Sequence, residues 1–129
     1  MGELDKVKYW LDLAKEDIAV AGVLHKGGKL LYAGFICHLA VEKALKARIE
    51  SAGNTPQKIH NLIRLAEIGD ILDSMTDEQT ELLDVLNPLQ IEARYPAYKQ
   101  QVESALTSEY CDTLINQARE MISWIEKQL

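Results

Sequence analysis

A chain of 129 residues with 47% hydrophobic and 26% charged positions and three prolines suits one folded domain around one core, and gives no support for a disordered tail. Its formal net charge of −6 excludes indiscriminate attraction of nucleic acid and leaves a local basic pocket as the route to a phosphate. No stretch reaches the ~18 apolar residues of a membrane span, MGELDKVKYW has no signal-peptide run, and Lys6 breaks the myristoylation pattern; the expectation is a cytoplasmic protein without membrane attachment.

From Leu4 to about His25, Val7, Trp10, Leu11, Ala14, Ile18, Ala21 and Leu24 recur at the three-four spacing of an amphipathic helix. Lys26-Gly27-Gly28-Lys29 ends it with a turn. A second helix is expected from Leu30 to Ser51. Its apolar face is interrupted by His38 and Glu42. After the turn-rich Ser51-Ala-Gly-Asn-Thr-Pro56, the apolar positions Ile59, Leu62, Ile63, Ala66 and Ile68 predict a third helix over about Gln57 to Ile68.

Thr76 and Gln79 form a capping box, so a fourth helix starts near Asp77; Pro88 removes one donor and bends it, and Arg94-Tyr95-Pro96 stops it. An irregular stretch from about Ala97 to Thr107 precedes Ser108, read as the N-cap of a fifth helix with its stripe at Cys111, Leu114, Ile115, Ala118, Met121, Ile122 and Ile125. The resulting expectation is all-α: an antiparallel, up-and-down bundle of about five helices forming a single domain over residues 4–127.

Three histidines without a ligand spacing, and no Walker loop, glycine-rich dinucleotide fingerprint or nucleophile elbow, give no metal site, no cofactor and no common catalytic signature. Cys37 and Cys111 lie on separate predicted helices and read as small core residues. The informative residues are polar ones on faces expected to be buried: Asp17 on helix one, and His38 and Glu42, which meet at i,i+4 on helix two. Left unpaired they would each cost several kcal/mol, so Lys43, Lys46 or Arg94 is expected to supply counter-charge. Two readings stand for these groups, a structural polar network holding Asp17 and Glu42, or a pocket lining. Lys43, Lys46 and Arg48 place three cations within two turns, read as a solvated face or a phosphate strip.

Four motifs in this order, Tyr9-Trp10-Leu-x-x-Ala14-x-x-Asp17-Ile18, Cys37-His38-Leu-Ala-Val-Glu42-Lys43-Ala-Leu45-Lys46-Ala47, His60-Asn61-Leu62 and Ala93-Arg94-Tyr95-Pro96, together resemble the HEPN domain family over about residues 4–127. The resemblance implies a bundle of about five helices, homodimerisation, and pairing with a minimal nucleotidyltransferase in a toxin-antitoxin-like couple. Ribonucleases of that family carry an Arg followed four to six residues later by His. Here the corresponding stretch is Arg94-Tyr-Pro-Ala-Tyr98-Lys-Gln-Gln-Val102, and the His is missing.

A metal-free ribonuclease needs a group that moves protons near neutrality, and tyrosine, at about 10, is poorly matched. Arg94 can still hold a phosphate and Tyr95 or Tyr98 can stack on a base; His38 or His60 substitutes for the missing His only if the fold brings it to Arg94. Three functions stay open. The first is a binding module for a nucleotide or RNA, through Arg94, Tyr95, Tyr98, His38, Glu42 and Lys46. The second is an active endoribonuclease with an unusual acid-base group. The third is a dimeric interaction partner of a nucleotidyltransferase, with Tyr98 as a candidate modification site.

Overall fold

The structure, a computed structural model, describes residues 2–92 and 104–129. It is an all-α bundle. Among these residues, the helices are α1 (Glu3–Lys26), α2 (Leu30–Ser51), α3 (Leu62–Ile68), α4 (Asp77–Glu92) and α5 (Ser108–Glu126), with a 3₁₀ turn at Leu72–Ser74 between α3 and α4 and helical backbone also at 104–105.

α1 ends where the sequence breaks its periodicity. Gly28 takes φ 74°, a region open to glycine at no steric cost, and the Lys29 N–H reaches back to the Leu24 carbonyl at 2.8 Å. So short a turn makes α1 and α2 an antiparallel hairpin. α5 runs against α1, with His25 Nε2 2.9 Å from the Ser108 carbonyl oxygen at one end and Lys15 donating to Glu126 at 2.9 Å at the other. α4 runs against α2, since Gly34 lies at Leu89 and His38 at Leu86.

α2 is therefore the central helix, packed against the other four. Burial on several sides explains why its apolar residues form no single stripe: Ala33, Cys37, Ala40, Val41, Ala44, Leu45, Ala47 and Ile49 are all fully buried. Small residues let the neighbours come close. A Cβ at Gly34 would stand 3.2 Å from Leu89 Cδ1 and 3.3 Å from Leu106 Cδ2, tighter than packed carbon atoms normally approach. Both cysteines are free and buried. Burial, then the neighbouring Cys111, push the Cys37 thiol up to about 12, so it is no nucleophile.

The Thr76–Gln79 capping box is present in both directions, at 2.9 and 3.1 Å. Two boundaries differ from the sequence reading. The third helix begins at Leu62, not Gln57, because Asn61 takes an extended backbone and caps it, its Oδ1 accepting from the Arg64 N–H; half-buried Ile59 extended the apolar period without belonging to the helix. The fifth helix is capped by Thr107, whose hydroxyl accepts from the Tyr110 N–H. Ser108, expected in that role, sits in the first turn with its hydroxyl 3.1 Å from His25 Nε2.

Candidate functional site

Glu42 projects from the middle of α2 and is 5% exposed. A carboxylate there is tolerated only if its lone pairs are filled. Lys46, one turn on and 8% exposed, donates to Oε2 at 3.0 Å; His60, from the segment before α3, places Nδ1 2.8 Å from Oε1. His38, one turn back and fully buried, places Nε2 3.3 Å from the same oxygen, within ion-pair range but off the line of a good hydrogen bond. Lys46 is held a second time, its Nζ 5.6 Å from the centre of the Trp10 ring.

The ring orientations follow from what each nitrogen faces. Nδ1 of His38 meets the Leu86 carbonyl at 2.9 Å, and a carbonyl only accepts, so Nδ1 carries a proton and ties α2 to α4. His60 Nδ1 meets a carboxylate and donates to it. This leaves Nε2 of a neutral ring as an acceptor on the opposite edge. Burial alone would push the Glu42 carboxyl up. The close His38 ring, the hydrogen bonds of His60 and Lys46 and the charge of Lys46 outweigh it and bring the carboxyl down to about 2.

Beyond His60 opens a cavity of about 350 Å³ lined by His60, Asn61, Asn87, Pro88 and Gln90. Its wall is fixed in place. Asn87 Oδ1 accepts from the Leu62 N–H at 2.8 Å and Asn87 Nδ2 donates to Asn61 Oδ1 at 3.2 Å, so α4 pins the start of α3 and the His60 beside it. Gln90 is 5% exposed.

The structure thus brings together His38, Glu42 and Lys46, and adds His60 on the opposite side of the carboxylate. Asp17 lies apart, in a half-buried pair with Lys43 at 2.6 Å that joins α1 to α2. The three cations read as a solvated face or a phosphate strip are neither: Lys43 is committed to Asp17, Lys46 to Glu42, and Arg48 donates to the Gly69 and Gln128 carbonyls at 2.9 and 2.8 Å. Their near-helical spacing misled because α2 is buried around much of its girth. Arg94, Tyr95 and Tyr98 lie outside the described residues.

Sequence reasoning passed over Asn87 and Gln90. The signal for Gln90 was present: it continues the Leu83, Leu86 stripe at i+4, a polar residue on the buried face of α4. Asn87 precedes a proline and carried no such mark. Among the described residues no helix is long and apolar enough to cross a membrane, and no three His, Cys, Asp or Glu side chains cluster as metal ligands do.

No curated protein matches the chain. Among solved structures it is similar to TT1696 from Thermus thermophilus, with a TM-score of 0.81 at 21% identity over 96% of this chain and 98% of that one, a likeness of fold. The model of the HEPN domain matches residues 7–128, a span that holds the α2 carboxylate, the cavity and all five helices but the first turn of α1. The chain belongs to the HEPN domain family.

Proposed function

We propose that this HEPN domain binds a nucleotide or an RNA end at the cavity beside His60, with cleavage absent or secondary. The observation that carries this reading is the Glu42 cluster: a buried carboxylate that accepts from Lys46 and His60, with the His38 ring against it, fixes His60, which lines a cavity of about 350 Å³. Ligand sites are built in this way, from oriented polar groups on a concave, mostly apolar wall. Arg94 follows Gln90 by four residues in the sequence and is the candidate phosphate contact, with Tyr95 and Tyr98 as stacking partners. Lys46 acts through Glu42 by holding its charge, and His38 by tying α2 to α4 at the Leu86 carbonyl, because both are buried and already paired.

The test is binding and cleavage of end-labelled single-stranded and structured RNA with metals chelated, comparing wild type with Arg94→Ala and His60→Ala. Binding without cleavage, weakened about tenfold or more in either variant, is the expected result. Cleavage lost in Arg94→Ala or His60→Ala would instead make the protein a ribonuclease, and no RNA binding at all would refute the reading.

A second reading, self-association, has its own observation. On α1, Tyr9, Val20 and Val23 are 53%, 41% and 70% exposed and fall within about 60° of one another around the helix at about 100° per residue. A homodimer through this stripe would be disrupted by Val23→Asp, read as a halved mass by light scattering. A wild-type monomer would end that reading, leaving the stripe to a partner such as a minimal nucleotidyltransferase.

A further inference from the structure

Among the described residues, Nε2 of His38 is the buried side-chain polar atom that has no hydrogen-bond partner. The ring is fully buried and cannot turn to solvent for one, and such groups in native proteins call for an explanation. Nε2 does not face an apolar wall. It stands 3.3 Å from Glu42 Oε1, an oxygen that already accepts from His60 Nδ1 at 2.8 Å. Because Nδ1 gives its proton to the Leu86 carbonyl, a neutral His38 turns a lone pair toward a carboxylate oxygen, and two acceptors oppose each other.

One added proton turns that contact into a charge-assisted hydrogen bond, and the charged ring also donates more strongly from Nδ1 to Leu86. Burial and the Lys46 ammonium, on the other oxygen of Glu42, oppose the second proton; the Glu42 carboxylate favours it. The remaining charges stand off. His60, from the segment before α3, meets His38 only across Oε1, and Asp17 of α1 is committed to Lys43 at 2.6 Å. The charged side chains of α3 and α5, and those described on α4, are exposed.

We infer that His38 is a proton-operated clamp between α2 and α4: with Nε2 protonated the ring bridges Glu42 and the Leu86 carbonyl, and with Nε2 bare it holds Leu86 alone and is repelled by Glu42. Imidazoles exchange this proton between about pH 5 and 8, the interval in which the clamp works. An unfolded chain has no such bridge, so the clamp holds α4 most tightly on the acid side of that interval and loosens as the pH rises. α4 carries Asn87, which accepts from the Leu62 N–H at the start of α3 and lines the cavity together with Pro88. The charge on a buried ring thereby sets how firmly one wall of the cavity is held, whether or not a ligand occupies it.

The experiment measures hydrogen exchange of the α4 amides in the full-length protein at about pH 5.5 and about pH 8.5, on either side of the imidazole interval, corrected for the chemical exchange rate, in wild type and His38→Asn. The asparagine amide donates from the position of an imidazole Nδ1, so it keeps the bond to Leu86 and removes the group that takes up the proton. Protection of α4 about tenfold higher at the acid pH in wild type, and equal at the two pH values in His38→Asn, is the expected result. Equal protection at the two pH values in wild type would overturn the clamp. So would a response of the same size in His38→Asn, which would assign it to another group such as His60. Should His38→Asn fail to fold, nitrogen NMR of the His38 ring in wild type decides: Nε2 gains a proton between the two pH values if the clamp is real, and keeps one state throughout if it is not.

Discussion

Two carboxylates of this bundle each meet a lysine of α2, and they do different work. Asp17 has one partner, Lys43, in a half-buried pair between α1 and α2. Glu42 is more deeply buried and gathers Lys46, His60 and His38 from two helical turns and a connecting segment. The first is a strut, since removing it leaves two groups that reach water. The second is a node, since removing it leaves a buried lysine and the His60 imidazole without their shared acceptor, and frees His60, which borders a cavity. Burial with several converging donors, not the presence of an ion pair, separates a site from a brace.

Breaking the node should cost most. Glu42→Ala strips the acceptor from Lys46 and His60 and the facing charge from His38, and a loss of about 3–5 kcal/mol is expected in chemical denaturation, the range for stranding a buried charge. Acid should reproduce much of that loss without mutation. The Glu42 carboxyl falls from 4.5 to about 2 in the folded protein, so its stabilisation is complete above about pH 4.5 and fades as the pH drops toward 2. The difference between wild type and Glu42→Gln should shrink over that window by up to about 3 kcal/mol; a difference independent of pH would show that the carboxylate is not held ionised.

Gly34→Ala tests the packing on which the node depends, because α4 carries the Leu86 carbonyl that holds His38. The added methyl meets Leu89 and Leu106, and a loss of about 1–3 kcal/mol from overpacking should appear as a lowered melting temperature. The strut comes next. Asp17→Asn should cost about 1 kcal/mol, and Lys15→Ala, whose pair with Glu126 is exposed, no more than about 0.5 kcal/mol. If Asp17→Asn destabilised as much as Glu42→Ala, the distinction between strut and node would fall.

Much of this was legible in the residues. Helical periodicity, the Gly27-Gly28 break and the Thr76–Gln79 box defined the bundle, and four short motifs pointed to its family, because these signals are local in sequence. His38 and Glu42 announced themselves as polar residues on an apolar face. Their partners did not. Lys46 was one of several available cations, His60 stands 18 residues from Glu42, and only the docking of α3 on α4 through Asn61 and Asn87 brings it there. The same blindness to long-range contacts made Lys43, Lys46 and Arg48 look like a free basic strip when each is paired. Gln90 needed both its helical position and the cavity beside it to acquire meaning.

The most direct measurement is RNA affinity in the two regions side by side, by fluorescence anisotropy on folded Asp17→Asn and folded His60→Ala. Affinity unchanged in Asp17→Asn and reduced about tenfold in His60→Ala is the expected result. Equal affinity in both variants, at the wild-type value, would contradict the assignment of the Glu42–His60 node to the binding site.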